Sequence, residues 1–371
     1  MNILYLTNIP SPYRMNYFNL LGRVSHLTVV FEAMTAESFN SSWFSERAES
    51  FECIFLDKGP LNYKKFDLKL LQYLDPKKYD VIIATNYSSV AEIIAILYMR
   101  IKHIPFILEV DGGFPKSGRG IKEWLKKIII SSASFWFSTG NITDQYLIQY
   151  GAEKEKIYKY PFTSLFDNEI LGESLSIQEK KHIKKLLGLN EAKCAIAVGQ
   201  LIHRKGFDVL LKAWKSMPKE MELYIIGDGE KKDELRNAIE KLNLENVKLI
   251  AFKAKKELLQ YYKAADLFIL PTREDIWGLV INEAMACGLP VITTENCIAG
   301  VELVSNGENG YIIPAENVDL LYEYSRSILS NEQLQRRMAC SSLEKIRWYT
   351  FENMVKIHLE CFNKYLYESK R

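Results

Sequence analysis

Two pairs of charged residues stand out in the sequence for the chemistry their types and spacing allow. Asp275 and Glu283 are eight positions apart in PTREDIWGLVINEAMACGLP, with an apolar, glycine-containing run and no other charge between them. Arg204 and Lys205 are adjacent in GQLIHRKG, a loop bounded by Gly199 and Gly206. Glycines let backbone approach a ligand closely, and adjacent cations neutralise phosphate charge, so this loop suits a diphosphate. The two acids suit the hydroxyls of a ribose and of a sugar. Plainer readings exist for both pairs: a solvated basic turn, and a loop Asp with a helix-surface Glu paired to a lysine. Spacing alone leaves these open. Glu283, however, is flanked by Ile281, Ala284 and Met285, and a charge in such surroundings requires a specific polar partner. His203 has no second histidine at metal spacing and the chain has no Asp-x-Asp pair, so no metal site is expected.

These residues need strands and helices to bring them together. A strand–helix alternation starts at once, with strands expected at 2–7, 26–31, 79–85, 105–110 and 135–139 and helices at 15–24 and 90–101. Asp111-Gly112-Gly113 punctuates the end of one strand. Near 161–192 the pattern is interrupted by a loop and a basic helix. A second series then begins, with strands at 195–198, 223–226, 247–252, 267–270, 291–293 and 311–313. Short apolar strands separated by helices predict parallel sheets covered on both faces. The fold class is therefore α/β, with two doubly wound Rossmann-like domains. Ligands in this class bind at the carboxyl ends of the strands. Arg204, Lys205 and Asp275 all follow strand ends. A helix is expected from about Gly278 to Cys287, with Glu283 one turn inside it and the amides of 278–280 available for phosphate. The segment from Ser341 is read as helical throughout, with Tyr349, Phe351, Met354 and Ile357 as its apolar face.

Composition narrows the function classes. Hydrophobic residues make up 48% and charged residues 25%, as in a well-cored globular protein. A net charge of +2 gives no support for nucleic-acid binding. The N-terminus has no basic stretch ahead of its apolar run, so no cleaved signal peptide is expected. VIIATNYSSVAEIIAILYM is broken by Asn86 and Glu92 and reads as a strand followed by a helix, not a membrane span. Six cysteines without a CxxC pair fit a reducing cytoplasm. The first βα turn, residues 7–14, lacks GxGxxG, which argues against a dinucleotide oxidoreductase. In 115–131, Ile121, Trp124, Leu125, Ile128 and Ile129 make an apolar stripe at helical spacing, crowded by Lys116, Arg119, Lys122, Lys126 and Lys127. This is either an ordinary packed helix or a basic face for anionic lipid at the inner surface of the cytoplasmic membrane.

Taken together, EDIWGLVINEAMACGLPV, VGQLIHRKGFDVLLKAW, YIIGDGEKKDEL and NGENGYIIP resemble the retaining glycosyltransferases of family 4, which have the GT-B fold. NIPSPYR and LEVDGG more weakly resemble enzymes of capsule and O-antigen synthesis. The resemblance implies two domains facing a crevice: an acceptor-binding domain over 1–165, completed by a C-terminal helix at about 350–371 crossing back, and a nucleotide-sugar-binding domain over 166–349. It implies metal-independent transfer of a sugar from a UDP- or GDP-sugar to a glycan or lipid-diphosphate-linked acceptor. Arg204 and Lys205 would stabilise the leaving diphosphate, Asp275 the transferred sugar and Glu283 the ribose. Gly199, Gly227, Gly278 and Leu279 would lie against the donor. Asp111 would stand in the active site where many relatives place a histidine. Asp275 replaces the usual first Glu, Gln200 stands where many members have Arg, and the loop 8–14 lacks their paired glycines. A nucleotide-sugar epimerase and a non-catalytic nucleotide-sugar-binding protein are the alternatives.

Overall fold

The protein is described from a computed structural model, which covers residues 1–36, 46–65, 67–85, 87–116, 118 and 120–369. Asn86 and Arg119, both named above, lie outside the described residues. The chain divides into two compact units, Met1–Ser164 with Tyr349–Arg371, and Leu165–Trp348.

The first unit carries a seven-stranded sheet: β1 (Asn2–Thr7), β2 (His26–Thr35), β3 (Glu52–Pro60), β4 (Val81–Ala84), β5 (Ile107–Val110), β6 (Phe135–Ser138) and β7 (Ile157–Lys159). Their order is β3-β2-β1-β4-β5-β6-β7 and every pair is parallel. β1, β4, β5 and β6 are almost wholly buried, which explains their continuous apolar runs. β3 and β7, which the sequence reading left out, are the two edge strands. Each is only partly covered, so neither carries a strong apolar signal. One core layer gathers Leu4, Leu108, Met99 and Trp136.

The second unit carries β8 (Cys194–Val198), β9 (Glu222–Ile226), β10 (Val247–Ile250), β11 (Leu267–Leu270), β12 (Val291–Thr294) and β13 (Gly310–Ile313). The order is β10-β9-β8-β11-β12-β13, again all parallel. Strand order reverses between β1 and β4 in one sheet and between β8 and β11 in the other. Such switch points open a binding crevice at the strand carboxyl ends. Phe207, Leu210 and Trp214 of the helix Phe207–Trp214 pack into the core of this unit.

The C-terminal segment is not one continuous helix. Glu332–Ile346 ends at a turn and a new helix, Phe351–Ser369, starts after four intervening residues, 347–350. The second helix belongs to the first unit. Its buried face is Phe351, Met354, Val355, His358, Cys361, Phe362 and Tyr365; Ile357 is only partly buried. The six cysteines are free. Burial holds the thiols of Cys194, Cys287, Cys297 and Cys361 at about 12, which keeps them protonated packing groups.

Candidate functional site

The loops after β8 and β11 meet at the switch point of the second sheet. The β8 loop closes in a single helical turn, His203–Lys205, and the chain then enters the helix Phe207–Trp214. The Thr272 hydroxyl donates to Arg204 O at 3.0 Å and the Arg273 amide donates to the same oxygen at 2.8 Å. Arg273 also reaches across with its side chain: Nη1 and Nη2 bond the two oxygens of Asp208 at 2.8 Å each, and Nη1 bonds His203 O at 2.6 Å. The Arg273 fork holds the Asp208 carboxyl below its ordinary range. Sequence spacing gave no hint of Arg273. Its position directly after a strand end, two residues before Asp275, was the available signal.

This clamp sets the cations against the acid. Lys205 Nζ pairs with Oδ2 of Asp275, and Arg204 Nη1 reaches Asp275 Oδ1 at 3.3 Å and Glu274 O at 2.7 Å. Lys205 and Asp275 are both buried. The Asp275 backbone is tied to the loop after β12: its amide donates to Asn296 O at 2.8 Å and its carbonyl accepts from Ile298 N at 3.3 Å. Three of the four charged residues singled out in the sequence, Arg204, Lys205 and Asp275, therefore form one cluster.

Gly278 caps the helix Leu279–Ala286 at φ 104°. A Cβ there would lie 2.9 Å from Cys297 Sγ, so only glycine fits both the backbone and the space. In the first turn the Ile281 amide donates to Gly278 O at 2.9 Å, whereas the amides of Leu279 and Val280 have no acceptor a turn back in their own helix. Glu283 lies one turn further on, half-buried, and accepts from the Tyr262 hydroxyl at 3.3 Å. Burial and the neighbouring Glu283 push the Tyr262 phenol well above its ordinary value, so it remains a donor. The apolar run between the two acids does not pack as one block: Trp277 and Ile281 are buried, whereas Ile276 is 55% exposed. Gly199 and Gly227 end β8 and β9. A Cβ on Gly227 would lie 1.9 Å from Gly199 O, so the two turns touch backbone to backbone beside the cluster.

Asp111 lies in the first unit, just past β5, with its side chain 28% exposed. Arg14 Nη2 donates to its Oδ1 at 2.7 Å and Tyr160 Oη at 3.2 Å. Behind it is a buried chain of polar groups that the sequence reading missed. Arg14 Nη1 pairs with Oε1 of the fully buried Glu109. Glu109 Oε2 takes the Tyr5 hydroxyl at 3.0 Å and lies 3.3 Å from His358 Nε2. Burial alone would push the Glu109 carboxyl up, but Arg14 and His358 bring it down to about 2. A glutamate inside the apolar strand ILEV, and a histidine on the apolar face of the last helix, were the legible signs.

Similarity to known proteins fits this geometry. Residues 178–342, within the second unit, match the family Glycosyl transferases group 1. That stretch of the chain is similar to the group 1 glycosyl transferases. An uncharacterized glycosyltransferase of Haemophilus influenzae is 32% identical over 178 residues, 47% of this chain and 50% of that protein. The chain thus spans about half the length of the first curated relatives it matches. The capsular polysaccharide biosynthesis glycosyltransferase CapM of Staphylococcus aureus is 23% identical over 344 residues, 83% of this chain and 88% of CapM. Among solved structures, Anabaena HepE in complex with UDP superposes with a TM-score of 0.77 at 19% identity, covering 98% of this chain and all of that one. That likeness establishes the fold: two Rossmann-like units in one chain, the GT-B class. The cluster of Arg204, Lys205 and Asp275, the helix amino end and Glu283 all fall inside the matched stretch 178–342.

Proposed function

We propose that the protein is a retaining glycosyltransferase that moves a sugar from a nucleoside-diphosphate sugar to a hydroxyl of a glycan or lipid-diphosphate-linked glycan, in the synthesis of a surface polysaccharide. One observation carries this reading: Arg204 and Lys205 converge with Asp275 beside the amino end of a helix, on adjacent parallel strands at a switch point. Cations and oriented amides in a buried setting stabilise the charge that develops on a departing diphosphate. Asp275 then contacts the transferred sugar, and Glu283, fixed by Tyr262, the ribose. Gly199, Gly227, Gly278 and Leu279 line the donor. Because side chains and amides neutralise the diphosphate, the reaction needs no metal. The first unit receives the acceptor, and Asp111 meets its hydroxyl.

The helix Ile121–Ile130 of the first unit supports a membrane-side acceptor. Ile129 and Ile130 pack inward, but Ile121 is 83% and Trp124 63% exposed, next to exposed Lys116, Lys122 and Lys127. An exposed aromatic among lysines suits the headgroup region of an anionic bilayer. No helix among the described residues is long and apolar enough to cross a membrane. Peripheral contact at the cytoplasmic face is the reading this favours.

Thermal shift against UDP-, GDP- and TDP-sugars tests the donor site, since a ligand stabilises by an amount set by its affinity and concentration. We expect one nucleotide class to raise the melting temperature, and Lys205→Ala to abolish the shift. No stabilisation by any of them overturns the assignment.

A further inference from the structure

We propose that Arg14, Glu109 and His358 form a buried, charge-balanced relay that holds Asp111 ionised and oriented toward the acceptor, with His358 of the C-terminal helix supplying the second positive charge. This rests on the reading of the first unit as the acceptor unit.

The hydrogen bonds fix the protons. His358 Nδ1 is 2.7 Å from Met354 O, and Nε2 is 3.3 Å from Glu109 Oε2. A carbonyl oxygen and a carboxylate are both acceptors, so in the proposed relay each ring nitrogen donates a hydrogen. Aromatic rings pack around His358: those of Phe137, Tyr160 and Tyr17 lie 4.1, 4.9 and 5.0 Å away between centroids. Arg14 and His358 then balance Glu109 and Asp111, and the set is neutral. With His358 uncharged, Arg14 alone would face two carboxylates, and the cost of a buried net charge would fall on Asp111, the member nearest solvent.

The remaining ionisable neighbours do not change that balance. The phenols of Tyr5, Tyr13, Tyr17 and Tyr160 are all pushed up, chiefly by burial, and stay neutral. Cys361, on the same helix as His358, is held at about 12 and is also neutral. Arg14 and Tyr160 both bond Oδ1 of Asp111. Among the described residues Oδ2 has no hydrogen bond, so it is the oxygen presented to an acceptor hydroxyl. Arg14, Glu109 and His358 are positioning residues: each acts through the next, and Asp111 alone meets the substrate.

The test uses the full chain labelled with 15N-histidine and 13C-aspartate, together with His358→Gln, His358→Lys and Glu109→Gln. In wild type at pH 7.5 we expect the His358 resonances to show both nitrogens protonated. In His358→Gln, loss of the cation should move the Asp111 titration to higher pH. Transfer is measured from the donor that stabilises the protein to a membrane extract of the cells that produce it. His358→Gln should lower transfer about tenfold or more, leave donor KM unchanged and shift the acidic limb of the pH profile upward. His358→Lys should restore part of the rate. A singly protonated His358 in wild type, or an unmoved pH limb in His358→Gln, overturns the relay. Wild type that transfers nothing to the extract overturns the acceptor reading instead, while the NMR arm still judges the charge state.

Discussion

Lys205 and Asp275 are 70 positions apart in sequence, yet the lysine ammonium pairs with the aspartate carboxylate where β8 and β11 end side by side. Both groups are buried, so neither is easily lost alone. Lys205→Ala leaves a buried carboxylate short of its partner and should cost several kcal/mol of stability, roughly 3–5. Lys205→Ala/Asp275→Asn should recover much of that loss in a denaturant melt. Turnover of Lys205→Ala should fall about 100-fold or more and should not be restored by the second substitution. Recovery of turnover together with stability would mean that the lysine is structural.

The Arg273 fork predicts a different outcome. Arg273→Lys keeps the charge but not the two parallel bonds to Asp208. We expect nucleoside-diphosphate affinity to fall about tenfold, the worth of one charge-assisted bond, with global stability little altered. Isothermal calorimetry with UDP and GDP measures it, and unchanged affinity would separate the clamp from the binding loop.

The chemical course is open to a direct check. Proton couplings of the first-formed product should show the anomeric configuration of the donor, and an inverted product rules out the proposed mechanism. Turnover should survive EDTA. Full loss restored by Mg²⁺ or Mn²⁺ would contradict the assignment of charge neutralisation to Arg204, Lys205 and the helix amides.

A pH dependence of stability should come from Glu32 and Glu92 in the first unit. Ser89 Oγ donates to Glu32 Oε1 at 2.6 Å, and Glu92 is fully buried on the same helix turn that Ser89 caps. Burial raises Glu32 from 4.5 to about 7, with Asp67 adding to the rise, and lifts Glu92 well above its usual range. Both folded values lie above the unfolded one. The Glu32 stabilisation is therefore complete below pH 4.5 and is lost as pH climbs through 7, and Glu92 acts in the same direction. For Glu32 this amounts to at most about 3 kcal/mol. Glu32→Gln should flatten the fall in melting temperature between pH 5 and 8, and an unchanged slope would assign that fall to other groups.

Membrane contact is tested by charge reversal at Lys122, Lys126 and Lys127. Each basic residue near an anionic bilayer is worth about 1 kcal/mol. Lys126 should contribute least, because it already faces Glu123 at 3.3 Å. The triple variant should no longer sediment with phosphatidylserine vesicles at low salt, and Trp124→Ala should weaken sedimentation at any salt. Equal sedimentation of wild type and triple variant removes this helix from the contact.

The sequence made the central strands legible because both of their faces are buried, so β1, β4, β8 and β11 read as unbroken apolar runs. The edge strands β3 and β7 lack that signal. The loops that carry Arg204, Lys205 and Asp275 were also readable, since each follows a strand end. Their convergence was not: it depends on β8 and β11 being neighbours, which is set by sheet topology and leaves no local trace. The same holds for Tyr262 with Glu283, and for His358 with Glu109, 249 positions apart. A charge within an apolar stretch announces that a partner exists without saying which residue it is.

The helix Phe351–Ser369 belongs to the first unit although the whole second unit precedes it in the chain. During synthesis the residues of β1 to β7 emerge long before His358 does. Domains fold as units as they leave the ribosome, so the second unit can close while the first still lacks its last helix. Until that helix arrives, Glu109 has Arg14 and Tyr5 but not His358, and the rings that surround His358 have no guest. The first unit to be translated is thus the last to be finished, and a chain truncated before residue 351 would hold every residue of the second unit but lack the helix that completes the first.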